Sequence, residues 1–181
     1  MKKKALLMVL AAALIVAASI GGTLAWLTSN DSMTNTFTVG DLNIDLTETT
    51  WVANAKIVPG VSIPKNPAVT VETGSESADV YISVTVPASL QNSKITFNVG
   101  SSWTWDAAKG CYKYNSAVAA DASTDPLFTT VKIGDLTETE MEAIETAATN
   151  DIVVRAYAIQ TGTTDVSQLN IVAGTHLNVT P

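Results

Sequence analysis

The chain has 181 residues, of which 17 are acidic and 10 are basic, so its net charge at pH 7 is −7. This length suits one ordinary domain, and the acidic balance argues against binding to nucleic acid or to anionic lipids, because their phosphate groups would be repelled. The single cysteine, Cys111, excludes an intramolecular disulfide framework.

The first 25 residues have the three-part organisation of a secretory signal peptide. Lys2 to Lys4 form a basic head, and Ala5 to Ile20 is an apolar run of 16 residues without a charge. Thr23 and Ala25 are small side chains that a signal peptidase accepts, so cleavage after Ala25 would make Trp26 the new N-terminus. A retained membrane anchor is the alternative, although the apolar run is shorter than the roughly 20 residues that cross a bilayer.

Cleavage would make the remaining domain, residues 26–181, more acidic. Three of the ten basic residues lie in the head, which leaves seven against 17 acidic residues and a net charge of −10. We therefore expect an exported acidic domain that does not bind nucleic acid and that contacts a membrane only through an uncleaved leader.

The residues after the leader alternate between apolar and polar side chains, which is typical of half-buried strands. In "TFTVGDLNIDL", Phe37 and Val39 share one face, and Leu42, Ile44 and Leu46 share a face after a shift at the glycine. The pattern predicts a strand with a bend in it.

The segment "DVYISVTVP" predicts a strand with one core face and one solvent face. Its valines and its isoleucine would point inward, whereas Tyr81, Ser83 and Thr85 would face water. Further strands are predicted at residues 68–74, 94–115, 126–133 and 151–160, with a weak terminal strand at 175–181.

The middle of the chain predicts a hairpin with an aromatic face. Trp103 and Trp105 are two residues apart, as are Tyr112 and Tyr114, and a turn-rich link lies between the two pairs. Aromatic pairs across strands contribute about 0.2 to 1 kcal/mol each, so strand stabilisation explains them. A carbohydrate-binding platform made of the same four rings is the alternative.

One stretch, Asp135 to Asp151, has helical rather than alternating periodicity. Thr137 and Glu140 form a capping-box sequence at its start, and acidic residues in the first turn favour the positive end of the helix dipole. The sequence predicts a short amphipathic helix whose acidic residues form a solvated face rather than a metal site.

Several short strands separated by turns, with one helix, predict an all-β fold. We expect an antiparallel two-sheet sandwich of the jelly-roll or Greek-key type over residues 26–181, preceded by a signal peptide at residues 1–25.

Motifs for catalysis are scarce in this sequence. His176 is the single histidine, and neither an HExxH nor a GxSxG motif is present. Asp41, Asn43 and Asp45 resemble the opening of a calcium loop, but the glycine and the distal glutamate are missing, and "DASTD" at residues 121–125 suits a loop. The sequence therefore predicts no catalytic residue, no cofactor and no metal site, and hence a protein that is not an enzyme.

The segment that cleavage would free, Trp26 to Phe37, is a candidate donor strand. Trp26 and Leu27 are apolar anchors in a polar stretch, and Phe37 and Val39 follow. Pairing with the open sheet edge of another subunit would satisfy that edge and generate fibres, because a head-to-tail contact does not close. A frayed terminus, or a first strand folded back on its own sheet, is the alternative.

The leader with "GGTLAWLTSNDS", then "NTFTVGDLNIDLTE" and "VPGVSIPKNPAVTVETGSESADVYISVTV", resembles the TasA/camelysin (CalY) group of exported proteins with a SipW-type signal peptide. The segment "VVRAYAIQ" (Val153 to Gln160) is also similar to a late strand of these proteins. The resemblance is most specific over residues 21–48.

That resemblance implies a jelly-roll-like sandwich, processing by a dedicated signal peptidase after Ala25, and assembly into extracellular biofilm-matrix fibres by donation of Trp26 to Phe37. The partner would be the protein itself and other matrix proteins, and the location would be the extracellular matrix or cell surface. Some camelysins are classed as metallopeptidases, a label that one histidine without HExxH does not support. The rival function is a monomeric surface adhesin or glycan-binding module that uses the four aromatic rings.

Overall fold

The chain folds mainly into β-strands, as seen in a computed structural model that describes residues 41–50, 56–92, 94–148 and 150–179. These ranges contain nine strands and one α-helix: β1 (Ile44–Glu48), β2 (Ser62–Pro64), β3 (Pro67–Val71), β4 (Ala78–Thr85), β5 (Ile95–Val99), β6 (Trp103–Asp106), β7 (Cys111–Tyr114), β8 (Phe128–Ile133), α1 (Glu138–Glu145) and β9 (Val153–Gln160). The predicted signal peptide at residues 1–25 lies outside the described residues, as do several predicted site residues: Thr23, Ala25, Trp26, Leu27, Phe37 and Val39.

The strands form three hydrogen-bonded groups in which every strand pair is antiparallel. The four-stranded sheet has the order β6-β7-β4-β9, the three-stranded sheet has the order β2-β8-β5, and β1 pairs with β3. The prediction of an antiparallel all-β fold with one short helix is confirmed. The third group arises because β3 is bordered by a loop on its other side, where Val71 N donates to Ala122 O at 3.0 Å and Thr124 N donates to Val69 O at 2.8 Å.

All three groups contribute to one hydrophobic core. From β4, Val80, Ile82 and Val84 are fully buried, as predicted. The three-stranded sheet adds Phe97 and Phe128, whose rings pack edge to face with their centroids 4.9 Å apart. Full burial of such side chains stabilises a fold by about 1.5–3 kcal/mol each, so the shared core is a large favourable contribution to stability.

The prediction of a solvent face on β4 is wrong for Tyr81 and Ser83, which are 3% and 0% exposed. β4 is a central strand with β7 and β9 on its two sides, and Lys113 Nζ lies 5.8 Å from the Tyr81 ring centroid. Near Ser83, Gly174 packs so closely on Val84 that an added Cβ would lie 2.6 Å from the Val84 carbonyl oxygen. Side chains on both faces of β4 are therefore buried at residues 80–84.

The segment of residues 172–179 connects the two larger sheets. Thr175 N donates to Val84 O at 2.7 Å in the four-stranded sheet, and Phe97 N in the three-stranded sheet donates to Asn178 O at 2.8 Å. Because the segment crosses between sheets, it forms a single bridge to β5 and not the regular terminal strand that the sequence predicts.

The helix α1 is shorter than the predicted stretch but begins as predicted. Glu140 N donates to Thr137 Oγ1 at 3.3 Å, and Thr137 N donates to the Glu140 carboxylate at 2.9 Å, which completes the capping box. Thr137 Oγ1 also donates to the Glu140 carboxylate, and the two hydrogen bonds that this carboxylate accepts from Thr137 lower the pKa of Glu140. Ile144 is buried and attaches the helix to the core, while Glu138 and Glu142 are exposed.

Candidate assembly and binding surfaces

The strand β9 forms one edge of the four-stranded sheet. All eight of its residues pair with β4 on one side, and no other described strand pairs with it on the opposite side. Residues 154–159 are half-buried, and Val153 at its start is 37% exposed. Such an edge presents backbone N–H and C=O groups that another strand can pair with.

A cleft of about 430 Å³ lies between β1 and the start of β9. Its apolar wall combines Leu46 of β1 with Ile152, Val153 and Val154. An extended chain placed along the free edge of β9 would therefore meet apolar side chains as well as backbone groups.

A cavity of about 510 Å³ adjoins this cleft, because Glu48, Lys65 and Ile152 line both. Its remaining apolar walls come from β2, β5, β8 and two neighbouring turns, and consist of Ile57, Ile63, Leu90, Ile95, Val131 and Ile133. The cleft and the cavity are therefore adjacent, and we call the two together the β9 groove.

One end of the cavity is polar. Lys65 Nζ lies 2.5 Å from Glu48 Oε2, and the two side chains are only 6% and 20% exposed. Asn150 and Asp151 also line this end. A buried ion pair of this kind fixes the positions of its partners, because separating them would leave a charge in a poorly solvated place.

Sequence reasoning missed the β9 groove. Glu48 and Lys65 are 17 residues apart, and they meet only because β1 pairs with β3 while Lys65 directly follows β2. Nothing in the local pattern marks Lys65, since a lysine between prolines reads as an ordinary loop residue. The β-branched run of β8 predicts burial but gives no sign of a cavity.

The aromatic hairpin forms in the predicted register. Trp103 pairs with Tyr114 and Trp105 with Tyr112, and the ring centroids of these pairs are 5.0 and 4.9 Å apart. Trp103 and Tyr112 are only 5% and 3% exposed, whereas Trp105 and Tyr114 are half-buried. The predicted ligand face thus retains two rings that a ligand could reach.

Hydrogen bonds hold the two buried rings in the fold. Trp103 Nε1 donates to Asp125 O at 3.1 Å, and Tyr112 OH accepts from Leu177 N at 3.0 Å. Burial raises the pKa of Tyr112. Both rings therefore have structural roles.

His176 lies against the same hairpin. Its ring stacks on Trp105 with centroids 4.9 Å apart and an angle of 22° between the planes. Among the residues that the structure describes, no group of three or more His, Cys, Asp or Glu side chains is placed to hold a metal ion. The only histidine of the chain therefore packs as an aromatic ring.

Cys111 lies on β7 and is fully buried. Burial raises the pKa of its thiol to about 11, because the thiolate would be poorly solvated, and the charge of Asp106 acts in the same direction. A thiol of this kind is inert, in keeping with the prediction of an ordinary strand residue.

The oxygen-rich segments lie at the surface. Asp41, Asn43 and Asp45 are exposed, and Asn43 Nδ2 donates to Asp41 Oδ2 at 3.2 Å. Residues 121–125 form the loop that borders β3, and Thr73 Oγ1 donates to the Asp121 carboxylate. The loop at residues 121–125 is the one that the sequence predicts.

These features define an antiparallel β-protein in which β9 is a sheet edge that no other described strand pairs with, beside an apolar groove. Residues 1–172 match the camelysin metallo-endopeptidase family. The chain therefore belongs to this family, and the resemblance to the TasA/camelysin group is confirmed. Comparisons with curated proteins and with solved structures found no match.

Family membership supports a protein of the extracellular space or cell surface. Across the described ranges, no helix is both long and apolar enough to span a bilayer.

The name of the family implies a catalytic metal, so we compared the donor groups with what such a site requires. Catalytic zinc in peptidases is typically held by two histidines and a carboxylate. This chain has one histidine, His176, which is stacked on Trp105. The described residues therefore do not fit a metallopeptidase centre.

Proposed function

We propose that this protein is a structural, non-enzymatic subunit that self-assembles into extracellular matrix fibres. Cleavage after Ala25 frees the segment from Trp26 to Phe37, and this segment pairs with the sheet edge of the next subunit. A dedicated signal peptidase makes the cut, and the partners are further copies of the chain and other matrix proteins.

The observation that carries the proposal is the edge strand β9. It is eight residues long, whereas protective edges are typically short, charged or interrupted by proline. Its sequence, VVRAYAIQ, contains one charge and no proline. A long, mostly apolar edge of this kind suits addition of a strand.

The β9 groove supports the same proposal. Strand addition gains affinity from backbone hydrogen bonds and specificity from pockets that receive alternate side chains. The cleft beside Val153 and the adjoining cavity supply such pockets next to the edge. The apolar residues of the freed segment, Trp26, Leu27 and Phe37, would occupy them.

A structural role also agrees with the small number of metal-ligating histidines in the chain. A zinc metallopeptidase centre typically needs two histidines and a carboxylate, and the single histidine of this chain is stacked on Trp105. We therefore propose that the activity in the family name does not extend to this chain.

Deletion of residues 26–35 from the mature protein tests the proposal. The mature protein should form filaments visible by electron microscopy, and the deletion variant should remain monomeric with an unchanged circular dichroism spectrum. A matched control replaces Ser29 and Ser32 with alanine, which keeps the length of the segment and should preserve filaments. Filaments formed by the deletion variant would contradict donation of this segment.

A further inference from the structure

We propose that the cavity of the β9 groove is the socket for Trp26, the first residue of the mature chain, from a neighbouring subunit. The inference rests on the proposed function, because it requires that the N-terminal segment is donated. Beyond strand donation, the inference specifies where the donated strand ends and which side chains recognise its N-terminus.

The position of the cavity agrees with this role. Glu48, Lys65 and Ile152 line both the cleft along β9 and the cavity, and Ile152 immediately precedes β9. A strand lying in the cleft along the free edge would reach the cavity at the start of β9. The residue that enters there would be at or near the end of the donated strand.

The size and the walls of the cavity suit an indole ring. A volume of about 510 Å³ falls within the range of pockets that bind small ligands. Seven of the described aliphatic side chains line it, while Glu48 and Asn150 offer oxygen atoms at its polar end. Trp combines a large apolar surface with one N–H donor, so its side chain matches both parts.

The charge of the polar end suits the new terminus. Glu48 and Asp151 are acidic and Lys65 is basic, so acidic side chains outnumber basic ones among the described residues at this end. Cleavage after Ala25 gives Trp26 a positively charged α-amino group. Complementary charges of this kind select the correct partner and its register.

The available chain is long enough. Fifteen residues, 26–40, precede the first described residue of the domain. Fully extended, they span about 50 Å, whereas the eight residues of β9 span roughly 26 Å. A donated segment can therefore lie along a neighbour's β9, reach its cavity and still connect to its own domain.

Disulfide cross-linking between two mature proteins tests the socket. One protein carries Leu27→Cys, next to the proposed anchor, and the other carries Val153→Cys, at the start of β9. A matched control replaces Val153→Cys with Thr104→Cys, because Thr104 is exposed on β6 at the opposite edge of the same sheet. Disulfides require Cα atoms within roughly 7 Å, so only the first mixture should give linked dimers. Peptide mapping identifies the linked residues, and wild-type protein reports any background from Cys111.

A second experiment tests recognition of the terminus itself. Trp26→Ala, and a protein that retains Ala25 ahead of Trp26, should each raise the protein concentration needed for filaments by at least about tenfold, equivalent to 1.4 kcal/mol. The matched control Thr28→Ala should leave this concentration unchanged. Equal concentrations for all four proteins would overturn recognition of the terminus.

The outcomes separate the socket from the proposed function. Filament formation by the wild-type protein, together with no cross-link between the Leu27→Cys and Val153→Cys variants, would overturn the socket and leave fibre formation standing. Absence of both wild-type filaments and a cross-link between the two variants would overturn both.

Discussion

Lys65 Nζ lies 2.5 Å from Glu48 Oε2 in a place where Lys65 is only 5% exposed. The contact joins the end of β1 to the residue that follows β2, so it links two of the three hydrogen-bonded groups. It also forms the polar end of the cavity proposed to receive Trp26.

Removal of the carboxylate should destabilise the domain. Glu48→Gln removes the negative charge that faces the largely buried ammonium group of Lys65. Loss of one partner of a buried ion pair costs about 3 kcal/mol. The double variant Glu48→Leu/Lys65→Met should recover most of this loss, because neither charge is then buried. Urea unfolding of the mature protein, at concentrations below assembly, measures both. A double variant no more stable than the single one would contradict the pairing.

Gly174 should tolerate no side chain, because the segment 172–179 packs directly on β4. An added Cβ would lie 2.6 and 2.7 Å from the Val84 carbonyl oxygen and nitrogen, so Gly174→Ala must displace the segment. Overpacking of this kind should cost about 3 kcal/mol. The control Gly74→Ala has open space but φ of +82° and should cost about 1 kcal/mol. Equal losses in urea unfolding would show that the segment does not hold the sheets together.

Cys111 should react with thiol reagents only slowly while the domain is folded. Its pKa of about 11, against an ordinary value of 9.0, lowers the thiolate fraction at pH 8 by about a hundredfold, and burial slows reaction further. Denaturant should restore fast labelling, and Thr104→Cys provides an exposed control. Because the unfolded thiol ionises at lower pH, the stability contributed by Cys111 is complete below pH 9 and declines between pH 9 and 11. Fast labelling of native protein would contradict the buried position.

The glycan-binding alternative must be tested on the rings that solvent reaches. Trp103→Ala should destabilise the domain by about 3–5 kcal/mol, because Trp103 is 5% exposed and bonded to Asp125. Loss of ligand binding in that variant would reflect unfolding. Trp105→Ala and Tyr114→Ala are the informative variants. We expect both to form filaments normally and to bind glycans no differently from the wild-type protein. Loss of glycan binding in a variant that is folded and polymerises would favour the adhesin.

Much of the fold could be predicted because its signals are local. The pattern of apolar and β-branched residues predicts β4 and β9, and the two-residue spacing of the aromatic residues predicts the β6–β7 hairpin. Thr137 and Glu140 predict the start of the helix. These features depend on residues within a few positions of one another.

The surroundings of a strand could not be predicted in the same way. Tyr81 and Ser83 alternate with core valines yet are buried, because β4 is a central strand that β7, β9 and residues 174–175 flank through long-range contacts. The cavity likewise depends on Glu48 and Lys65 meeting through the pairing of other strands. Both result from long-range packing that periodicity does not encode.

Amide hydrogen exchange tests the central claim, that assembly pairs a donated strand with β9, most directly. Filaments of the mature protein should be compared with the monomeric variant that lacks residues 26–35. We expect amides of β9, residues 153–160, to gain protection in filaments, while amides of β6 at the opposite edge of the sheet exchange alike in both. Filaments in which the amides of β9 exchange as fast as in the monomer would contradict the account.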